Sequence, residues 1–388
     1  MIHRPIFDEV GRFVDAPEAI IVTGMRRTGK TTLLRFLYDR MEGRNKLFLD
    51  LENPLNRRYF ETENYEGIKL TLGVLGIDFA KRAHIFLDEI QFVRNLPSII
   101  KYFIDTYGAK FFLTGSASFY LKHLFTESLT GRKYVFELHP LNFTEFLTFK
   151  GLPYRLPDDP ATVTREIYDL FAPLYDEYLL FGGFPGVVQK GSGDEKSMAL
   201  HDIFTSFFQL EVMQLGDFRR NDVVRDLMVL LMQRIGSRMD VNKLSRELGV
   251  SRHTIHEYVS FLEGTYFIRI IRPFSTGRDT ELRKMPKVYL CDTGLANQFA
   301  RLDTGPLFEN SVFLSLAVRG DVAYYQKKSG VEVDFILNRE HAFEVKVNPE
   351  ERDMRRLQEI AGTLGLARYS VAAKKYSQLP NVTYGFMM

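Results

Sequence analysis

A single cysteine, Cys291, stands in 388 residues. One thiol can neither close an intrachain disulfide nor build a cysteine zinc cluster. The composition suits a reducing compartment, so a cytoplasmic location is expected. Tryptophan is absent, while Phe (33) and Tyr (19) are plentiful; this aromatic content reads as core packing rather than as a base-stacking surface. No run approaches ~18 uninterrupted apolar residues, so no spanning helix and no membrane partner are expected. The first residues, Met1-Ile2-His3-Arg4-Pro5, lack the apolar stretch of a secretory signal. An excess of charge is missing too. Lys+Arg number 51 and Asp+Glu 49, a net of +2, which excludes a globally basic nucleic-acid binder but allows a local basic patch. What is present is ordinary for a folded protein: 45% hydrophobic and 26% charged residues, enough to exclude extended disorder. At ~150 residues per domain, the length suggests about two to three domains.

Residues 19–51 read as strand, glycine loop, helix and strand. Ala19–Thr23 and Lys46–Asp50 are short, apolar and β-prone, and Thr32–Tyr38 has helical spacing. Further strands fit at Ala83–Leu87 and Lys110–Leu113, with a helix near Leu96–Thr106 between them. Continuous apolar strands alternating with helices imply a parallel sheet covered on both faces. The proline-rich stretch Gly151–Pro160 marks a boundary. The expected organisation is a multidomain α/β chain: a parallel-sheet α/β domain over 1–150, a helical region over 151–236, a winged-helix module over 237–286 and an α/β domain over 287–388.

Gly24-Met25-Arg26-Arg27-Thr28-Gly29-Lys30-Thr31 matches G-x-x-x-x-G-K-[ST] in full. Such a loop turns successive N–H groups toward one anion, and the following helix adds its positive end. Lys30 supplies a point charge for the β- and γ-phosphates, and the Thr31 hydroxyl is placed to ligate Mg²⁺. Gly24, Arg26, Arg27, Thr28, Gly29, Lys30, Thr31 and Thr32 form the expected ATP/ADP-binding set. His84-Ile85-Phe86-Leu87-Asp88-Glu89 has the form of a buried strand ending in acids. Asp88 would hold the metal and Glu89 would activate the attacking water. Leu113-Thr114-Gly115-Ser116 ends the next strand, where a hydroxyl, Thr114 or Ser116, could sense the γ-phosphate; Ser116 could equally cap a helix. Arg132, in Leu129-Thr130-Gly131-Arg132, is a candidate charge-stabilising arginine or a solvated surface residue.

These segments, together with Gly182-Gly183-Phe184-Pro185, Pro286–Leu295, Glu332-Val333-Asp334-Phe335 and Glu344-Val345-Lys346, resemble a prokaryotic AAA-type P-loop ATPase family. That family carries a C-terminal domain of unknown function related to the PD-(D/E)xK, restriction-endonuclease-like nucleases. The resemblance spans nearly the whole chain and implies an ATPase with a nuclease-like C-terminal fold. It supplies no substrate.

Val241–Val259 has the apolar spacing of two short helices, with Gly249 at the turn and Ser251 at the second N-cap. Tyr266–Ile270 would be a wing strand. Arg252, His253 and His256 on the second helix, with Arg278 and Lys284 in the following basic run, are the candidate contacts to double-stranded DNA, of low sequence specificity. The alternative is a winged helix used for protein contacts. Further on, Val331–Leu337 and Ala342–Val347 alternate like a hairpin. Asp334 beside Glu344 would place two carboxylates on one Mg²⁺ or Mn²⁺, with Lys346 on the same face. Glu309 lies where related nucleases put a helix acid. The alternative is a row of charges on the wet face of a hairpin.

The expected function is a Mg²⁺-dependent ATPase acting as a nucleotide-controlled switch for the winged helix and the nuclease-like domain, with self-association possible. Two alternatives are a nucleotide-gated DNA nuclease and a non-catalytic nucleotide-binding scaffold.

Overall fold

In a computed structural model of the protein, residues 2–116, 129–216, 218–275, 285–327 and 330–388 are described. The chain divides into two compact units: Met1–His139 with Gly264–Tyr266, and Pro140–Glu263 with Phe267–Met388.

The first unit is built on five strands, β1 (Ala19–Thr23), β2 (Lys46–Asp50), β3 (His84–Asp88), β4 (Lys110–Gly115) and β5 (Lys133–Glu137). They form one sheet in the order β2-β3-β4-β1-β5, with every pairing parallel. Side chains alternate along each strand, so the apolar runs feed two cores. Ile20, Val22, Phe86 and Phe112 face Leu33, Leu34 and Leu37 of helix Lys30–Arg40, together with Phe7 and Val10 of helix Pro5–Gly11. Ile21, Ile85, Leu87, Phe111 and Leu113 meet Leu96, Ile99, Ile100 and Phe103 of helix Leu96–Tyr107, and Ile68 and Leu72 of helix Tyr65–Val74. This burial on both faces is why the strands read as continuous apolar runs. β4 extends two residues beyond its expected end, to Gly115. β5 carries lysine, glutamate and an exposed Val135 at the sheet edge, so it has no apolar run to announce it.

The second unit opens with helices Phe143–Phe149, Arg165–Phe181, Gly193–Phe207 and Asn221–Gln233. Helices Val241–Leu248 and Arg252–Gly264 follow, separated at Gly249, whose φ of +63° makes the turn. Asp240 caps the first through the Asn242 and Lys243 amides, and Ser251 caps the second through Thr254 N. β6 (Ile268–Ile271) and β7 (Lys287–Leu290) form a two-stranded antiparallel sheet. β6 starts later than the expected wing strand because Tyr266 has a φ of +64° and leaves the extended region. Helices Thr293–Ala300 and Thr304–Ala317 lead into β8 (Val322–Gln326), β9 (Glu332–Leu337), β10 (His341–Lys346), β11 (Arg368–Ala373) and β12 (Val382–Tyr384). Their order is β12-β11-β10-β9-β8. β8, β9 and β10 pair antiparallel, while β10, β11 and β12 pair parallel. Helix Glu351–Leu364 makes the crossover from β10 to β11 that a parallel pair requires. Among the described residues no helix is long and apolar enough to cross a membrane.

Asp292, 2% exposed, ties the helical part of this unit to the segment after β7. One carboxylate oxygen accepts from Gly183 N at 2.7 Å and the other from Leu295 N at 3.1 Å, and Gly294 N also donates. The fit demands glycine at 182: φ there is +74°, and a Cβ would lie 2.0 Å from Asp292 Oδ1. Burial pushes the Asp292 carboxyl up to about 6, against the lowering effect of these N–H groups.

Asp292→Ala is expected to destabilise the second unit by about 3 kcal/mol, because it strands buried N–H groups and removes a helix cap. Urea denaturation followed by a probe in this unit checks it. In wild type the folded Asp292 holds a proton that the unfolded chain has already lost between about pH 4 and pH 6. Its contribution to stability is therefore full below about pH 4 and falls as pH rises through about 6. Asp292→Asn should remove that slope from a wild-type-minus-variant comparison.

Candidate functional site

The loop from Gly24 to Gly29 leaves the C-terminal end of β1 and enters helix Lys30–Arg40. Gly24 has a φ of +143°, and a Cβ there would sit 2.2 Å from the Leu138 carbonyl oxygen. The loop thus runs so close to the chain leaving β5 that only glycine fits. Arg27 (φ +66°) and Gly29 (φ +101°) take further left-handed turns, the conformations that gather N–H groups into an anion-binding concavity. Thr28 Oγ1 closes the loop on Met25 O at 2.9 Å. Lys30, 4% exposed, donates to Gly24 O at 3.0 Å and Met25 O at 2.9 Å. Its ammonium thus lies against the loop's own carbonyls. Arg27 and Thr32 are exposed.

Asp88 ends β3 and is buried. Its carboxylate accepts from the Thr114 hydroxyl and is bonded to the Thr31 side chain. Burial raises its pKa, and the Glu89 and Asp50 charges add to this. The Asp88 carboxyl beside the Thr31 hydroxyl is a hard-oxygen donor set that suits Mg²⁺. Glu89 has a φ of +55°, and its N–H donates to Thr114 Oγ1 at 3.2 Å. Its carboxylate receives Gln91 Nε2 at 2.5 Å and lies 4.0 Å from Arg26 NH1. Gln91 Nε2 also reaches Ser116 Oγ at 2.9 Å. Thr114 therefore touches the two acids, and Ser116 is joined to Glu89 through Gln91. Gln91 belongs to the segment Leu87-Asp88-Glu89-Ile90-Gln91 that carries the family resemblance, but the sequence alone assigns it no role.

Arg132 lies elsewhere. It precedes β5 at the strands' N-terminal edge, next to Ala19, whereas the loop leaves their C-terminal edge. Five residues of strand, ~16 Å, separate those edges. Its guanidinium makes two bonds to Asp105, at 2.8 and 3.2 Å. The structure does not bring Arg132 to the loop of its own chain.

In the second unit, Arg252, His253 and His256 are exposed on helix Arg252–Gly264. Arg252 bonds to Asn242 at 3.4 Å, and His253 lies 3.5 Å from Glu257. Arg278 and Lys284 lie outside the described residues.

The β9–β10 hairpin turns at Asn338 and Arg339, both with positive φ. Its pairing sets Phe343 opposite Phe335, and Asp334 Oδ2 accepts from Val345 N at 2.7 Å. Asp334 and Glu344 thus come together across the hairpin. Lys346 Nζ is 2.8 Å from Glu344 Oε1, and Arg356 bonds the same oxygen. Glu309 accepts from Tyr289 OH at 2.7 Å and lies 3.6 Å from Lys287 Nζ, which also bonds Glu332. Burial and then the neighbouring Asp334 charge raise the pKa of both Glu309 and Glu344. Burial raises that of Asp334, with the nearby lysines opposing it. Lys287 reads in the sequence as the end of the basic run, whereas the structure buries it, 3% exposed, against Glu309 and Glu332. Arg356 is not singled out in the sequence, because its acidic partner Glu344 is carried on another element. Among the described residues no group of three or more His, Cys, Asp or Glu side chains is placed to hold a metal ion.

Comparison with known proteins adds the following. Residues 16–147 match a family model described as an AAA domain, and residues 172–305 match a domain of unknown function. An uncharacterized protein of Methanocaldococcus jannaschii is 27% identical over 352 residues, 88% of this chain and 76% of its own length. One of Haemophilus influenzae is 25% identical over 382 residues, 91% of this chain and 90% of its own. Among solved structures, a Walker-type ATPase of Pyrococcus abyssi has a TM-score of 0.45 at 15% identity, covering 78% of this chain and 96% of its own. With its five-stranded parallel sheet and its AAA match, the first unit has the fold of an AAA-type P-loop ATPase domain.

Proposed function

We propose that the protein binds ATP with Mg²⁺ and hydrolyses it in the first unit, and that the nucleotide state controls the activity of the second. The observation that carries this reading is the meeting of Thr31 and Asp88 beside the Gly24–Lys30 loop. The loop N–H groups and Lys30 bind the phosphates, and Lys30 exchanges its bonds to Gly24 O and Met25 O for phosphate oxygens. Thr31 and Asp88 would hold Mg²⁺, which when bound neutralises charge on the β- and γ-phosphates. Glu89 takes the proton of the attacking water. Gln91 orients Glu89 and ties it to Ser116, while Arg26 balances its charge. Thr114 holds Asp88 and the Glu89 backbone in place. Arg132 would act on the nucleotide of a second copy of the chain. Double-stranded DNA, met through Arg252, His253, His256, Arg278 and Lys284, is the proposed partner of the second unit.

A second reading gives the C-terminal sheet metal-assisted phosphodiester cleavage. Asp334 across from Glu344, with Lys346 on Glu344 and Glu309 beside Tyr289, supports it. Asp334 and Glu344 would hold Mg²⁺ or Mn²⁺, which when bound polarises a phosphate oxygen and a water. Without cleavage, the same unit serves as a binding module governed by the ATPase.

Titration calorimetry should show Lys30→Ala weakening ATP binding by about 10- to 100-fold, the loss of a charge-assisted contact. Equal affinity in the two proteins would overturn the nucleotide site. Glu89→Gln should bind ATP as wild type does and turn over about 10²-fold slower or worse, because the amide cannot accept the proton; steady-state phosphate release measures this. On the second reading, supercoiled plasmid incubated with Mn²⁺ or Mg²⁺ becomes nicked, and Lys346→Ala abolishes nicking. Plasmid left intact by wild type leaves the non-cleaving module.

A further inference from the structure

Arg4 is 5% exposed, unusual for an arginine. Its place is set by the helix it precedes. Pro5–Gly11 packs Phe7 and Val10 into the core shared with Leu33, Leu34 and Leu37, and the Phe7 ring lies 5.1 Å from that of Phe36. This carries Arg4 to the back of the phosphate-binding loop. Arg4 NH1 donates to Thr28 O at 3.1 Å, and NH2 donates to His139 O at 3.1 Å. One planar guanidinium therefore bridges the loop and the chain leaving β5, where Leu138 O already presses on Gly24.

The consequence follows from peptide geometry. In a trans peptide the carbonyl and the next N–H point in opposite directions, and no peptide bond among the described residues is cis. With the Thr28 carbonyl drawn to Arg4, the Gly29 N–H is turned away from Arg4. We propose that Arg4 is a positioning residue of the nucleotide site: it holds the Thr28–Gly29 peptide so that the Gly29 N–H faces the phosphates of a bound nucleoside triphosphate or diphosphate. The inference rests on the ATP-binding reading above. Arg4 lies outside residues 16–147, the part similar to AAA domains. Arginine suits the task because its fork carries two parallel donors to two carbonyls, whereas lysine offers a point charge that grips one well.

The test uses the full chain as wild type, Arg4→Lys, Arg4→Met and Lys30→Ala, with ATP and ADP titrated by calorimetry and turnover measured in Mg²⁺. Arg4→Met should weaken both nucleotides about tenfold and raise KM by a similar factor, with kcat within about twofold of wild type, the signature of lost uniform binding. Arg4→Lys should fall between the two. In protein labelled with ¹⁵N-glycine, the Gly29 amide resonance should move in Arg4→Lys without nucleotide. A role confined to stability would lower the melting temperature and leave affinity, KM and the Gly29 resonance of the folded protein unchanged; that result overturns the inference. Should Arg4→Met fail to fold, Arg4→Lys carries the same comparison. Failure of wild type to bind ATP, equal to Lys30→Ala, would instead overturn the nucleotide site itself.

Discussion

Parallel register is the constraint on which the nucleotide site depends. Thr23 stands opposite Gly115, and Leu87 opposite Leu113. The chain therefore leaves β1, β3 and β4 at nearly the same level, and Gly24, Asp88 and Ser116 emerge side by side. A slip of one residue in any of these strands would turn its core residues to the wrong face. Both faces are packed, with Phe86 and Phe112 stacked at 4.2 Å on one and Ile85, Leu87 and Leu113 buried on the other. The same packing that stabilises the sheet thereby fixes the spacing of the acids and the loop. Polar bonds then finish the arrangement locally: Thr114 to Asp88 and to the Glu89 amide, and Gln91 to Glu89 and Ser116.

The second unit relies on a different device. A buried aspartate joins a glycine turn that follows one long helix to the first turn of another. The cost of burying Asp292 shows in its raised pKa, and the N–H groups around it offset part of that cost. Gly182 and Gly183 are explained by this contact. A Cβ at 182 would strike Asp292, and one at 183 would lie 2.2 Å from Leu141 O. This glycine turn is the place where distant segments of the unit are held together.

Legibility in the sequence followed the range of the interactions. The phosphate loop was readable because its function lies in eight consecutive residues between a strand and a helix. Asp88 and Glu89 were readable because a short apolar strand points to its own end. The hairpin carrying Asp334, Glu344 and Lys346 was readable because a period of two decides which residues share a face. Arg4 acts through partners on other elements, and nothing local marks it. Lys287 is marked only by basic neighbours, which do not show that it is buried against Glu309 and Glu332. The same holds for Arg132. Its neighbours in sequence suggest chemistry, but its place at the entry edge of the sheet follows from β5 lying beside β1, which no local pattern encodes.

The C-terminal cluster shows how charge balance governs what such a site can accept. Glu309, Glu332, Asp334 and Glu344 face Lys287, Lys346 and Arg356. With all groups ionised, four negative charges meet three positive ones, while the raised carboxyl pKa values come first from burial. A divalent ion between Asp334 and Glu344 would have to draw Glu344 Oε1 away from both Lys346 and Arg356. Glu344 is buried, so removing its cationic partners without a replacement would leave an uncompensated charge. Lys346, released from Glu344, would then be available to a phosphate oxygen, so that metal entry and lysine availability become one event. The same exchange appears at the other site, where Lys30 must leave two carbonyls before it can meet a phosphate. At both sites a lysine is held by the protein's own oxygens, carbonyls at one and a carboxylate at the other, and a ligand there would have to replace them.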